Sequence, residues 1–282
     1  MRRAVVVVAV FVLALVGAVV IVALKNPTAP MPLPIPLGKA CEVRTANGSV
    51  ELNADQMANA ATIAAVGMVR GLPEQAIVVA LATAFQESRL YNLDYGDRDS
   101  LGLFQQRPSQ GWGTPEQILD PRYAAGRFYS ALVRVRGWEE MRVTDAAQRV
   151  QRSAFPEAYQ KWADEATVLA EAFVGRASGA VTCTRNGEPV QRGSTALEAL
   201  DAALRLDWGD FVDVRESDGM GLVLAAANPQ DGWRYAHWIV AHSVEKGVER
   251  VRYLDREWTG DGAGWRLVDT TLEHVVAEVF QE

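Results

Sequence analysis

The stretch FQESRLYNLDYGDRDSLGLFQQRPSQGWG, Phe85 to Gly113, gathers acids, paired glutamines, aromatics and glycines in one short span. Glu87 lies at the expected C-terminal end of a helix, on one stripe with Ala80, Thr83 and Ala84. A carboxylate there opposes the helix dipole, at a cost of roughly 0.3–1 kcal/mol. That placement and partial burial both push a carboxyl pKa upward, as a general acid working near neutral pH requires. Asn92, Ser100, Gln105 and Gln106 add neutral amide and hydroxyl groups, and Tyr91, Tyr95, Phe104 and Trp112 add flat faces. That mixture suits sugars, whose hydroxyls take hydrogen bonds and whose C–H faces stack on rings. The alternative is a solvated helix-end Glu followed by a self-packed polar loop. Asp97 and Asp99 (with Asp94 close by) are candidates for a second carboxylate. An inverting hydrolase places one ~6.5–9.5 Å from its acid; the alternative is ordinary Asp turn chemistry.

ESRLYN followed by SLGLFQ resembles the E-S…N and S-x-G-L-x-Q pair of the soluble lytic transglycosylase and goose-type lysozyme superfamily. DPRYAAGRFYSAL resembles the helix that follows in those enzymes, and FPEAYQKW their late Tyr-bearing segment. The resemblance runs in order from about Leu52 to Val174, and extends to lysozyme-like proteins of actinobacterial cell envelopes. It implies that Glu87 is the catalytic acid/base, that Ser100 and Gln105 line the site, that Gly102 and Leu103 shape its turn, and that Tyr159 reaches in. With Asn92, Gln106 and Trp112 these form the expected binding set. The substrate implied is the peptidoglycan glycan strand, cut at the β-1,4 bond between N-acetylmuramic acid and N-acetylglucosamine, with no cofactor. A non-catalytic wall-binding or scaffold protein is the alternative, and the residue types leave hydrolysis and anhydro-forming transfer both open.

The three histidines, His237, His242 and His274, all follow this region. A His-dependent triad or His-bearing metal site is therefore not expected beside Glu87, and His237 and His242 are not at H-E-x-x-H spacing. A formal net charge of −7 argues against non-specific nucleic-acid binding.

Ala4–Leu24 carries no charge over 21 residues, enough to cross ~30 Å of hydrocarbon. Arg2 and Arg3 before it predict a single-pass anchor with the remainder outside the cytoplasm; the alternative is a cleaved signal and secretion. Residues 26–39 are a Pro-rich spacer. The only cysteines, Cys41 and Cys183, are expected to pair in an oxidising compartment, and the Asn-Gly turn after each predicts a hairpin. Helices are expected through 40–185, residues 186–194 read as a linker, and 195–282 as a small accessory module ending in the helix TTLEHVVAEVFQE. The expected fold class is a mainly α lysozyme-like domain (40–185) and a small α/β domain (195–282), preceded by a transmembrane anchor (1–25). The aromatics near Gly260 to Trp265 are candidates for a wall-binding surface.

Overall fold

Helix α1 (Ala54–Val69) starts at Asn53, whose side-chain oxygen accepts from the Gln56 N–H while the Gln56 side chain accepts from the Asn53 N–H. This reciprocal cap satisfies two otherwise orphaned donors. The helix is Ala-rich and largely buried, so its backbone approaches its neighbours closely. A Cβ on Gly67 would lie 2.8 Å from the Tyr129 hydroxyl, which donates to the Ile63 carbonyl at 2.9 Å.

Helix α2 (Glu74–Ser88) follows Pro73 and is buried continuously from Ala76 to Phe85. A helix apolar on every side belongs at the centre of a packed body. It is enclosed by α1, α4 (Pro121–Leu132), α5 (Val143–Gln151) and α6 (Ala163–Phe173), with the short α3 (Pro115–Ile118) leading into α4. Strands β1 (Cys41–Thr45), β2 (Gly48–Leu52) and β3 (Val181–Cys183) form an antiparallel sheet ordered β2-β1-β3. Cys41 faces Cys183 across the β1–β3 register and is disulfide-bonded to it over a sequence separation of 142.

The computed structural model describes residues 40–217 and 221–282. The second half contains α7 (Gly193–Trp208), β4 (Val214–Glu216), β5 (Gly221–Leu224), α8 (Pro229–Ala241), α9 (Ser243–Lys246), β6 (Val248–Thr259) and β7 (Trp265–Val279). Its sheet is antiparallel with order β4-β5-β7-β6.

The expected fold class is corrected on three counts. Two antiparallel sheets accompany the nine helices among the described residues; the first contains the hairpin expected after Cys41, β1–β2, joined by β3 from the other end of the segment expected to be helical. The segment expected as a closing helix belongs to β7: Val275, Ala277 and Val279 are buried while Val276 and Glu278 between them are not, a period of two. Pairing with β5 on one side and β6 on the other satisfies its backbone. Among the described residues no helix is long and apolar enough to cross a membrane; the apolar run Ala4–Leu24 lies outside them. A smaller correction concerns Cys183, which does not begin a hairpin, because β3 pairs with β1 instead.

All described residues belong to one compact unit, Gly38–Glu282, and buried polar contacts tie the halves together. Asp207 on α7 accepts from Thr62 on α1 and from the Trp238 indole, both at 2.8 Å, and pairs with Arg122. His237 on α8 donates through Nδ1 to the Ala172 carbonyl at 2.8 Å and accepts at Nε2 from the Ala180 N–H at 2.9 Å. Trp258 donates to Thr182 Oγ1, and Trp265 to the Val181 carbonyl. Both rings are anchored on β3; Trp258 is buried, and Trp265 packs against the core while staying partly exposed.

Two expectations follow. Replacing both cysteines by serine should lower stability by about 2–5 kcal/mol, read as a reduced urea midpoint, with a steeper slope because the unlinked unfolded chain exposes more surface. Burial lowers the pKa of His237 from 6.5 to about 4 and that of His242 in the same direction. The unfolded chain therefore binds more protons, so stability is full above pH 6.5 and declines as pH falls towards 4. Each such histidine adds up to about 1.4 kcal/mol per pH unit to the slope, and His237→Asn should flatten the measured dependence.

Candidate active site

Glu87 occupies the last turn of α2, and three features hold that turn in place. Arg89 and Leu90 adopt left-handed backbone with φ of 57° and 63°, ending the helix abruptly. The freed carbonyls of Arg89 and Leu90 accept from the side-chain amides of Gln56 and Asn59 on α1, at 2.7 and 2.9 Å. Ser88 donates to the Leu103 carbonyl at 2.8 Å, tying the helix end to the loop beyond it.

That loop is braced by its own backbone. Leu101 and Gln106 exchange both N–H···O bonds, and the Gly102 N–H reaches the Leu93 carbonyl at 2.7 Å. Gly102 has φ 74°, and a Cβ there would sit 2.6 Å from the Ile118 carbonyl. Only glycine fits both demands.

Glu87 Oε1 accepts from the Tyr159 hydroxyl at 2.7 Å. Burial raises the Glu87 pKa, and hydrogen bonds from Tyr159 and Gln151 pull in the opposite direction. Gln151 also donates to the Phe104 carbonyl at 2.9 Å, which fixes its amide beside the site. Tyr159 is fully buried. Burial and the adjacent Glu87 carboxylate both hold its phenol proton more tightly than usual, so Tyr159 stays a donor.

Glu87 opens onto a cleft of ≈930 Å³. Of the residues singled out from sequence, Asp97, Ser100, Gln105, Gln106 and Trp112 line it together with Glu87. Gln106 is buried and donates to the Ala124 carbonyl, leaving its Oε1 without a partner. Trp112 packs partly against the core and accepts through its carbonyl from Tyr123 and Arg127.

Asn92, Asp99 and Tyr159 stand outside the cleft lining. Asn92 donates to the Leu119 carbonyl at 2.7 Å, bracing the turn before α4. Asp99 accepts from Arg107 Nε and from the Ser109 N–H, both at 2.8 Å, and these bonds hold its pKa far below the usual carboxylate range. A carboxylate so occupied is a poor base. Asp97 is almost fully exposed. Phe104 stacks on Phe128 in the core, and Tyr91 accepts from Asn53. Among the described residues no group of three His, Cys, Asp or Glu side chains is gathered as metal ligands.

Sequence reading missed Gln151 and the arginines Arg127, Arg134, Arg149 and Arg152, which share the cleft lining. The signal was present as the recurrences VRVRG and QRVQRS. Without the fold, nothing in them connects these segments to Glu87.

No protein-family model matches this chain, and no curated protein matches it in sequence.

Two measurements test the geometry. Gly102→Ala should cost on the order of 1–3 kcal/mol, read as a lower unfolding midpoint, with the loop rather than the core losing protection in hydrogen exchange. Tyr159→Phe removes a hydrogen bond that favours the Glu87 carboxylate, so the Glu87 pKa should rise further. The protonated form then persists to higher pH, and the Glu87 carboxyl midpoint read by carbon-13 NMR should move upward.

Proposed function

We propose that this chain cleaves the β-1,4 bond between N-acetylmuramic acid and N-acetylglucosamine in peptidoglycan, with Glu87 as its acid/base. The observation that carries the reading is a single half-buried carboxyl group with a raised pKa, oriented by a buried phenol, at the wall of an amide-lined cleft. The ordered resemblance of the segments around Glu87, Ser100–Gln106 and Tyr159 to the lytic transglycosylases supports it. So does the cleft volume, which lies towards the upper end of ligand-site sizes (~300–1,000 Å³).

Protonated Glu87 donates to the glycosidic oxygen as its bond to the muramyl C1 breaks, releasing the N-acetylglucosamine 4-hydroxyl. The Glu87 carboxylate then takes the proton of the muramyl 6-hydroxyl while O6 bonds to C1. The products are a 1,6-anhydromuramyl end and a regenerated acid. Tyr159 stabilises the carboxylate between the two proton transfers. This single-carboxyl route is favoured over inverting hydrolysis because Asp99 is committed to Arg107 and Ser109, while Asp97, on the cleft wall, is almost fully exposed and paired, among the described residues, only with Arg98 at 4.0 Å. The envelope location belongs to the same proposal, since the substrate lies outside the cytoplasm.

The test is cleavage of purified peptidoglycan by the chain and its Glu87→Gln variant, with products read by mass spectrometry. Anhydromuramyl ends are expected from the wild type, and the variant should lose about 10²–10⁴-fold in rate. Reducing ends would replace transfer by hydrolysis. Undiminished cleavage by Glu87→Gln, or binding without cleavage by the wild type, would overturn the assignment.

A further inference from the structure

Arg134 follows α4, and Arg149 and Arg152 stand at the C-terminal end of α5. These three, with Val135, line the Glu87 cleft and also a contiguous groove of ≈640 Å³, whose other walls are Arg136, Met141 and Gln148. The groove is thus an extension of the cleft, with four guanidiniums and no carboxylate on its walls. Glu139 and Glu140 on the neighbouring turn do not line it. The acidic groups of the cleft proper are Glu87 and Asp97.

These arginines are unlike most others in the chain. Arg44, Arg142, Arg176, Arg205, Arg215 and Arg266, for example, each pair with a carboxylate. No described side chain makes an ion pair or hydrogen bond with the guanidinium of Arg134, Arg136, Arg149 or Arg152. Four exposed guanidiniums around one groove, on a chain of net charge −7, make a locally cationic surface that a bound anion would neutralise. Guanidinium donors match carboxylates in fork geometry.

A second feature narrows the ligand. Val135 and Met141 give the groove an apolar wall suited to aliphatic side chains, which a phosphodiester polymer lacks. Gln148 is fixed in the wall by its bond to the Ser153 carbonyl. Carboxylates and small apolar side chains occur together in a short acidic peptide.

We propose that this groove binds the carboxylates of stem peptides carried on the glycan strand, so that the substrate class is peptide-bearing rather than charge-neutralised or peptide-free strands. The inference rests on the glycan reading of the cleft. A peptide branching from a sugar beside Glu87 extends by ~3.3–3.6 Å per residue, so a few residues carry its carboxylates away from the cleft and along the groove.

Binding is measured on the full chain as Glu87→Gln, which needs no turnover, by calorimetry with soluble peptide-bearing strands and with the same strands after their peptide carboxyls are converted to amides. Native strands should bind about tenfold tighter or better, because the amidated strands have lost the charges that the guanidiniums pair with. The advantage should shrink as salt rises. Adding Arg149→Ala and Arg152→Ala should abolish the difference, Arg149→Lys with Arg152→Lys should restore part of it, and Arg215→Ala, far along the sequence on β4, should leave it unchanged. Matching unfolding midpoints show that the variants are folded. Equal binding of native and amidated strands, a preference that survives both alanines, or displacement of native strands by a wall phosphodiester polymer would overturn the proposal. The two readings separate cleanly. Charge-dependent binding without cleavage by the wild type removes the glycosidase and keeps the groove, while cleavage indifferent to peptide carboxyls does the reverse.

Discussion

Helix α2 is enclosed along most of its length, and that enclosure decides where its last acidic side chain can go. Ten successive residues, Ala76 to Phe85, are buried, so the helix can neither rotate nor slide without opening the core. Glu87 lies two residues beyond, at the point where burial gives way to the cleft. Its carboxyl is desolvated enough for its pKa to rise, yet it still borders open space. The β1–β3 disulfide and the Asp207 contacts serve the same end, since both clamp the chain around the helices that enclose α2.

The loop after α2 divides its polar residues between two tasks. Asn92 and Asp99 satisfy backbone or arginine partners and give the loop one shape. Ser100, Gln105 and Gln106 are held by that shape against the cleft. Residues of the same chemical types therefore serve as scaffold or as site according to whether the backbone nearby has spare donors and acceptors. A long irregular segment inside a packed body is tolerable only when most of its polar groups are paired in this way.

The place of Glu87 beside a cleft was legible less from the residue types around it, which fit a self-packed loop equally well, than from the resemblance of ESRLYN and SLGLFQ to a known motif pair. The disulfide was legible because two cysteines allow one pairing. The fold class was not. TTLEHVVAEVFQE has apolar residues that satisfy a helical and an alternating pattern alike, and partners on both sides in the sheet decide for the strand. The role of Asp99 was hidden because its partners, Arg107 and Ser109, meet it only through the folded loop. The arginines of the groove come from two segments that converge on the cleft, and spacing along the chain carries no trace of that. Trp258 and Trp265 looked like surface candidates by their glycine-rich surroundings, yet β3 takes both indole N–H groups.

The central claim is that enclosure makes Glu87 a proton donor. Carbon-13 NMR of the chain labelled at glutamate side-chain carboxyls, titrated through the acidic and neutral range and assigned by loss of one resonance in Glu87→Gln, measures this without any substrate. The expected result is a Glu87 midpoint clearly above that of the exposed glutamates, because desolvation outweighs the hydrogen bonds from Tyr159 and Gln151. A midpoint at or below the exposed glutamates would contradict the account, since Glu87 would then be an ordinary carboxylate with no proton to give at neutral pH.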